Sequence, residues 1–320
     1  MSANAAAFEF IRGFLYDKSA IQVGVDKDYL IESRLTPVLR KYGVADFGGL
    51  VKRLANGDDV LSIDVLDAMT TNETYFFREP ALFDDLARHR LPCLIAARTA
   101  TRRLQIWSAA CSSGQEPFSL AMSMRERLPQ LSDWQVHLLA TDISPSCLAQ
   151  ARRGMYRQLE VNRGLPAAYL LKYFTRDGSE YALKDEIRRA VEFRALNLVE
   201  NWPIDIRPDL LLMRNVLIYF DHQTKVAILA KVRKVLAPDG YLVLGAAETT
   251  LNVDPAFERV TQGVYRLRGG TSIPIQETGD EHQRIRSGKP DARHLDHHDR
   301  PRPGRRGHGR LAGAGHQQPD

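Results

Sequence analysis

Several residue types are scarce in this chain of 320 residues, and each scarcity excludes a class of protein. The three cysteines, Cys93, Cys111 and Cys147, are too few and too scattered for a disulfide framework or a CxxC metal site. The most apolar stretch, 210–220, contains Arg214 and is far shorter than the roughly 20 apolar residues of a membrane helix. The first residues lack the basic region of a signal peptide. We therefore expect a soluble, cytoplasmic protein that is not inserted in a membrane.

The amino acids that are present favour a globular chain with a distinct C-terminal segment. Hydrophobic residues make up 44% of the sequence and charged residues 26%, which is enough for one or two buried cores. Residues 269–320 differ, because they contain no Phe, Trp or Tyr but six of the nine histidines. Such a segment cannot bury enough apolar surface to offset its ordering entropy, so we expect a disordered tail. Its Asp296-His297-His298 triplet has no fixed geometry, and we assign no metal site.

The first 88 residues favour a helical domain. Apolar residues recur there at three- and four-residue spacing, as in Phe8, Ile11 and Leu15, which predicts a small helical bundle. Pro37 interrupts the second periodic stretch, so we expect either a kink or a helix that starts close to Ser33, with Ser33 as its N-cap.

From residue 104 the sequence changes to short apolar runs separated by helix-like stretches. These runs are 104–110, 136–143, 191–198, 209–220 and 240–248. Alternating strands and helices predict an α/β fold with a mainly parallel, Rossmann-like sheet covered on both faces. Residues 257–268 are expected to close the sheet as a hairpin. We therefore divide the chain into a helical domain with its linker at 1–88, an α/β domain at 89–268 and a tail at 269–320.

Ligands of an open parallel sheet collect at the carboxyl ends of its strands, so polar residues after each run are candidates for a binding site. The first run leads into AACSSGQEP at 109–117, whose small residues would let a ligand approach the backbone. With a single glycine, Gly114, this segment also fits a plain tight turn, and both interpretations stay open. The second run ends at Asp142, which suits either the ribose hydroxyls of an adenosine cofactor or a helix N-cap.

Two further segments contain polar residues that a core does not need. The fourth run carries MRNVLIYFD at 213–221, in which Arg214 and Asn215 interrupt a buried strand. A buried guanidinium is costly unless it is paired, so a carboxylate or a polar ligand should lie beside Arg214. The segment before the sheet, TTNETYFFREP at 70–80, joins polar residues to an aromatic pair and Arg78.

These four segments give the chain a resemblance to a known family. TxNxTxFFR at 70–78, ACSxGxEP at 110–117, ATDI at 140–143 and RNVLIYF at 214–220 occur in the order found in the chemotaxis receptor methyltransferases. The chain resembles this CheR family of protein-glutamate O-methyltransferases over about residues 5–268. Two departures, Gln115 in place of an acid and Phe118 in place of Tyr, fall on residues without an expected chemical role.

The resemblance implies a binding site for S-adenosylmethionine, with S-adenosylhomocysteine as the product. It implies that Asn72, Thr74 and Arg78 line the active site and that Glu116 and Asp142 hold the adenosine half of the cofactor. It also implies that Asn197 and Leu198 flank the adenine, and that Arg214, Asn215 and Tyr219 complete the pocket near the sulfonium.

The expected reaction forms glutamate methyl esters for chemotactic adaptation, and we assign two catalytic residues on the basis of the resemblance. Arg78 would orient the incoming carboxylate, and Tyr219 would shape the methyl site. Alternatives stay open for both: Arg78 fits the methionine carboxylate of the cofactor or a surface ion pair with Glu79, and Tyr219 fits core packing.

The resemblance further implies a small inserted β-subdomain at about 153–190 and a partner, the cytoplasmic methylation helices of chemoreceptors. The stretch 152–194 holds ten basic and six acidic residues, which suits these glutamate-rich helices. Some family members tether a C-terminal receptor pentapeptide with this subdomain, but the turn at 175–180 is short, so we expect no such requirement.

Two other functions remain as alternatives. A nucleic-acid or other protein methyltransferase would share the cofactor, but the sequence has no platform of interleaved aromatic and basic residues, so we expect no nucleic-acid partner. A signalling module could bind S-adenosylmethionine without turnover.

Overall fold

A computed structural model describes residues 3–270 apart from Ile204 and Ile206. The tail expected at 269–320, with its histidines, therefore lies outside the described residues except for Gly269 and Gly270. No helix in the described part of the chain combines the length and the apolar character needed to cross a bilayer.

The N-terminal region is a bundle of four helices, as the apolar periodicity predicts. These are Ala3–Ser19 (α1), Asp28–Tyr42 (α2), Phe47–Ala55 (α3) and Asp59–Met69 (α4). Their buried faces form one core, in which Ile11, Leu15 and Leu35 are fully buried. Aspartates begin two of the helices, because Asp46 accepts the Gly49 N–H at 2.8 Å and Asp58 accepts the Leu61 N–H at 3.1 Å.

The expected start of α2 near Ser33 is wrong. The helix begins at Asp28 and passes through Pro37, and the Ser33 hydroxyl donates to the Leu30 carbonyl within the helix. Proline removes one helical hydrogen bond, but the burial of Leu35 and its apolar neighbours on α2 outweighs this cost.

A second helical stretch leads from the bundle to the sheet. It comprises Pro80–Asp85 (α5), a π-helical turn at Leu86–Arg90 and Leu91–Arg98 (α6). The boundary expected between residues 88 and 89 falls inside this stretch. The core of the bundle ends at Met69, and the core beside the sheet begins at Phe76. We therefore propose that the two domains meet within the segment 70–75.

The larger domain is built on a seven-stranded sheet, which confirms the α/β fold. Its strands are Arg103–Ala109 (β1), Gln135–Asp142 (β2), Val191–Ala195 (β6), Leu210–Leu212 (β7), Tyr241–Val243 (β8), Phe257–Thr261 (β9) and Val264–Leu267 (β10), in the order β6-β2-β1-β7-β8-β10-β9. The first five strands in this order are parallel, and β10 runs antiparallel to β8 and β9. The predicted closing hairpin is thus present.

Helices cover both faces of this sheet, because neighbouring side chains on each strand point to opposite sides. Ile106 belongs to one core with Gln115–Arg127 (α7), whereas Trp107 belongs to the other with His222–Val235 (α12). A helix at Pro145–Arg153 (α8) follows β2.

The fourth strand is shorter than the apolar run 209–220 predicts. Strand β7 ends at Leu212, and Arg214 and Asn215 lie beyond it rather than within it. Asn215 has a φ of 59°, which a strand cannot contain, and residues Leu217–Tyr219 form a 3-10 turn. Arg214 and Asn215 can be polar because the chain has already left the sheet at these positions.

The small inserted β-subdomain lies between β2 and β6, where the resemblance implies it. Met155–Arg157 (β3), Phe174–Asp177 (β4) and Glu180–Leu183 (β5) form an antiparallel sheet in the order β3-β5-β4. Three short helices complete it: Gln158–Asn162 (α9), Ala167–Tyr173 (α10) and Asp185–Arg188 (α11).

Candidate active site

One cavity lies at the carboxyl ends of strands β1, β2 and β7, the edge where ligands of parallel sheets bind. All ten residues selected from the sequence line this cavity: Asn72, Thr74, Arg78, Glu116, Asp142, Asn197, Leu198, Arg214, Asn215 and Tyr219. The fold therefore brings together residues that are up to 147 positions apart in the sequence, from Asn72 to Tyr219.

The turn after β1 forms the floor of the cavity and approaches helix α7 closely. Gly114 has a φ of 92°, and a Cβ there would lie 2.9 Å from the Phe118 ring and 3.0 Å from the Ala151 Cβ. Glycine is needed at this point for both conformation and space. Ala110 and Ser112 also have positive φ angles, of 55° and 50°. The turn is thus strained as well as compact.

The Asp142 carboxylate lies at the end of β2 beside this turn. Its Oδ2 accepts the Ser112 N–H at 2.7 Å, and its Oδ1 accepts the Ser144 N–H at 2.9 Å. Burial raises the pKa of Asp142, although these N–H groups act in the opposite direction. The N-cap of α8 is Ser144, not Asp142. The Ile143 N–H also bonds this carboxylate, which with about four acceptor positions keeps capacity for a ligand hydroxyl.

Arg214 confirms the expectation that a buried guanidinium needs a carboxylate partner. Its side chain is 1% exposed, and it lies 2.8 Å from Glu116 and 3.3 Å from Glu79. It also donates to the Arg78 carbonyl at 2.7 Å. Its Nε finds no acceptor among the described residues. Glu116 is held from its other side by the Ser108 hydroxyl at 2.7 Å, so this pair joins β1 to the segment around Arg78.

The polar segment 70–80 connects the two domains and lines the cavity with most of its residues. Arg34 of α2 fixes its start by donating to the Met69 and Thr70 carbonyls at 2.9 and 3.0 Å. Ser112 holds its middle by donating to the Asn72 carbonyl at 2.9 Å. The segment is thus attached to both the helical bundle and the floor of the cavity.

Arg78 differs from Arg214 in its partners. Within the described residues it makes one hydrogen bond, to the Glu73 carbonyl at 3.2 Å, and no ion pair. Its guanidinium lies 5.6 Å from the centre of the Tyr75 ring. The alternative pair with Glu79 does not form, because Glu79 turns toward Arg214 and the Ala246 N–H.

Residues at the end of α1 form a wall of the cavity that the sequence did not predict. Ser19 and Ile21 line the cavity there. The Asn197 side chain donates to the Lys18 carbonyl at 2.7 Å, and the Tyr16 hydroxyl donates to Asp221 at 2.6 Å. These contacts join residues 179 and 205 positions apart, and no motif in either segment signals them.

Tyr219 lines the cavity from the 3-10 turn after β7, and 37% of its surface is exposed. This exposure argues against the alternative that Tyr219 is only a core residue. Small residues of the 109–117 turn, Cys111 and Ser112 among them, also line the cavity. That turn was a candidate in the sequence, but its individual lining residues could not be chosen without the backbone path.

Strained backbone is concentrated around this cavity. Eight non-glycine residues in the described chain have a positive φ, and six of them lie in the segments that surround the cavity. These six are Ala20, Phe77, Glu79, Ala110, Ser112 and Asn215. Such conformations cost about 1–3 kcal/mol each and persist where a functional geometry requires them.

The cavity fits a nucleoside cofactor in its donors and acceptors. The Asp142 carboxylate offers an acceptor beside a turn of small residues, and Leu198 and Ile143 offer apolar surface. The unpaired Nε of Arg214 is a buried donor in a residue that lines the same cavity. A ligand with vicinal hydroxyls, an apolar ring and polar groups at its other end satisfies all three.

Comparison with known proteins agrees with this arrangement. A family model described as the CheR methyltransferase, SAM binding domain matches residues 72–265, and one described as the CheR methyltransferase, all-alpha domain matches residues 6–70. Chemotaxis protein methyltransferase 1 of Pseudomonas aeruginosa is 43% identical over 265 residues, which cover 81% of this chain and 96% of that protein.

More distant relatives match nearly as much of the sequence. The chemotaxis protein methyltransferase of Vibrio parahaemolyticus is 39% identical over 80% of this chain and 94% of its own length. The one of Borreliella burgdorferi is 35% identical over 73% of this chain and 85% of its own length. The chain therefore belongs to the CheR family of chemotaxis methyltransferases, whose cofactor is S-adenosylmethionine.

Proposed function

We propose that this protein methylates glutamate side chains of chemoreceptors and so forms glutamate methyl esters for chemotactic adaptation. The observation that carries the proposal is the contrast between the two arginines of the cavity. Arg214 forms ion pairs with Glu116 and Glu79, whereas Arg78 forms no direct ion pair with a carboxylate of the described residues. A planar guanidinium with unused donors is suited to bind an incoming carboxylate.

The proposed reaction needs no general base. A glutamate side chain with an ordinary pKa of about 4.3 is already ionised at neutral pH, so its oxygen can act directly as the nucleophile. The cofactor supplies a methyl group on a positively charged sulfur. The task left to the protein is to orient the carboxylate and exclude water, and orientation alone can lower a barrier by about 7–11 kcal/mol.

The residues around the cavity are assigned roles in this scheme. Asp142 and Glu116 hold the adenosine half of the cofactor, and Asn197 and Leu198 flank the adenine. Arg214, Asn215 and Tyr219 complete the pocket near the sulfonium, and Asn72 and Thr74 line it from the interdomain segment. Arg78 and Tyr219 are the proposed catalytic residues, since both line the cavity and neither is buried.

Arg78 has one competing role, which is to bind the methionine carboxylate of the cofactor. The two roles predict different effects of Arg78→Ala. If Arg78 orients the glutamate, the affinity for S-adenosylhomocysteine is preserved while methyl transfer is lost. If Arg78 binds the cofactor, both are lost together. Calorimetry and a transfer assay on the same variant distinguish them.

The proposed partner is the set of glutamate-rich methylation helices in the cytoplasmic part of a chemoreceptor. The stretch 152–194 has an excess of basic residues, which steers such an acidic surface toward the subdomain beside the cavity. We propose that no receptor pentapeptide is required, since β4 and β5 are joined by the short turn Gly178-Ser179. Micromolar binding of a receptor-tail peptide in a pull-down would contradict this part of the proposal.

The proposal is tested with S-adenosylmethionine that carries a radiolabelled methyl group. The protein is incubated with receptor-rich membranes, and the membranes are then treated with base. Glutamate methyl esters release volatile labelled methanol, whereas methylated nitrogen does not. Label in added RNA would indicate a nucleic-acid methyltransferase, and cofactor binding without any transfer would indicate a signalling module.

A further inference from the structure

A buried carboxylate outside the cavity holds the loop that carries Asn215 and Tyr219. Glu248 follows strand β8 and is 7% exposed. Its Oε2 accepts the N–H groups of Asn215 and Gly245, at 2.6 and 2.8 Å. Its Oε1 accepts those of Val216 and Ile218, at 2.9 and 3.3 Å. Four backbone donors thus converge on one side chain.

These contacts explain how the chain turns after β7. The N–H groups of Asn215 and Val216 point to Glu248 and are therefore unavailable to the sheet. Asn215 is held at a φ of 59°, a conformation whose cost in free energy must be offset by the contacts around it. Glu248 forms no ion pair within the described residues, so these donors are what stabilises its buried charge.

We propose that Glu248 is a positioning residue for methyl transfer, because it sets the places of Asn215 and Tyr219 in the cavity. Asn215, Val216 and Tyr219 line the cavity, whereas Glu248 does not. Glu248 therefore acts through the loop and not by touching either reactant. This inference rests on the proposed function for its choice of assay.

A carboxylate is the side chain that can do this. Both of its oxygens accept hydrogen bonds, whereas the amide of Gln offers one oxygen and places an NH2 group against two N–H donors. The neighbouring Gly245 offers a second way to disturb the same contact. A Cβ at Gly245 would lie 2.5 Å from the Asn215 Nδ2 and 2.9 Å from the Glu248 Oε2.

The experiment compares three variants of the full chain: Glu248→Gln, Gly245→Ala and the control Asp209→Asn. Asp209 is also a buried carboxylate that accepts a backbone N–H, from Gln105 at 2.8 Å, but it lies at the opposite end of β7. For each variant, kcat and KM for receptor methylation, the Kd of S-adenosylhomocysteine and the Tm are measured.

We expect both Glu248→Gln and Gly245→Ala to lower kcat on the order of 100-fold, because a small misplacement of reacting groups reduces the rate by about this factor. The KM for receptor should change little. Asp209→Asn should lower the Tm and leave kcat unchanged. The inference is overturned if both loop variants that fold keep kcat within about 3-fold of wild type. It is equally overturned if Asp209→Asn loses kcat to the same extent.

Failure of the proposed function gives a different result. In that case the wild-type protein itself produces no base-labile methyl ester on receptor. The Kd of S-adenosylhomocysteine then measures whether the loop has moved, because Asn215 and Val216 line the cavity that would hold this ligand. If the wild-type protein transfers no methyl group, a Kd that is unchanged in both loop variants would overturn the role of Glu248 in positioning this loop.

Discussion

Arg214 donates to Glu116 at 2.8 Å in a pair that is almost fully removed from solvent, with side-chain exposures of 1% and 12%. The pair connects the first turn of α7 to the chain beyond β7, and the same guanidinium holds the Arg78 carbonyl at 2.7 Å. Three segments that reach the cavity from different parts of the sequence therefore share one charged group.

Breaking this pair should destabilise the whole domain. Arg214→Met removes the cation and leaves Glu116 and Glu79 partly buried without their partner, a change that typically costs about 3–5 kcal/mol. Urea unfolding of the variant measures the loss. The double variant Arg214→Met with Glu116→Gln should recover part of it, because the uncompensated charge is gone. A loss below about 1 kcal/mol in the single variant would contradict the account.

Arg78 should behave in the opposite way. Since it makes one hydrogen bond and no ion pair in the described chain, Arg78→Ala should leave the Tm nearly unchanged. Methyl transfer should fall on the order of 100-fold or more, because the carboxylate loses its orienting partner. Arg78→Lys keeps the charge but not the planar fork, and it should recover a minor part of the rate. Retention of most activity in Arg78→Ala would remove the orienting role.

The link between Tyr16 and Asp221 should depend on pH. The hydrogen bond from the Tyr16 hydroxyl is the main reason why the pKa of Asp221 is lowered to about 2, with the Thr224 N–H as a further cause. A lowered carboxyl pKa stabilises the folded state above the ordinary value near 4, and this contribution is lost as the pH falls through about 2.

Tyr16→Phe tests this link by Tm measurements at several pH values. The variant should have a lower Tm than wild type at pH 7, and the difference should shrink as the pH falls below about 4. Tyr29→Phe is the matched control, since Tyr29 is 63% exposed and its hydroxyl makes no hydrogen bond to the described residues. A constant difference down to the lowest pH would show that Asp221 is not the partner that matters.

Asp142 should contribute to binding and not to stability. Burial raises the pKa of Asp142, so the protonated carboxyl is tolerated in the folded state below the ordinary carboxyl pKa. This stability is lost as the pH rises through the pKa of the folded state. Ionised Asp142 therefore costs folding free energy at neutral pH. Asp142→Asn should change the Tm at pH 7 by no more than about 4 °C, and it should abolish the heat of S-adenosylhomocysteine binding. A large drop in Tm with binding intact would reverse this assignment.

Part of this site follows from the sequence because parallel strands end at one edge. Glu116, Asp142 and Arg214 each follow an apolar run, so their meeting in one cavity is a consequence of the topology. Two further residues could not be found in that way. Tyr16, in a helix of another domain, contacts Asp221, which follows the cavity-lining residue Phe220. Glu248 accepts hydrogen bonds from backbone N–H groups, and no sequence motif reveals such contacts.

The errors in secondary structure have similar physical causes. The apolar run 209–220 predicts one long strand, but Glu248 draws the backbone away from the sheet after Leu212. Pro37 predicts a kink or a helix start close to Ser33, but α2 begins at Asp28, because its buried face outweighs one lost hydrogen bond. In both cases tertiary contacts outweigh the structure that the local sequence favours.

Mass spectrometry of a chemoreceptor shows whether the cavity delivers a methyl group to a glutamate side chain held by Arg78. A chemoreceptor is incubated with the protein and S-adenosylmethionine, digested, and searched for peptides heavier by one CH2 unit. We expect this mass on glutamate residues of the methylation helices, and we expect it to disappear after mild base and to be absent with Arg78→Ala. Modification of lysine or arginine, or an unmodified receptor despite bound cofactor, would contradict it.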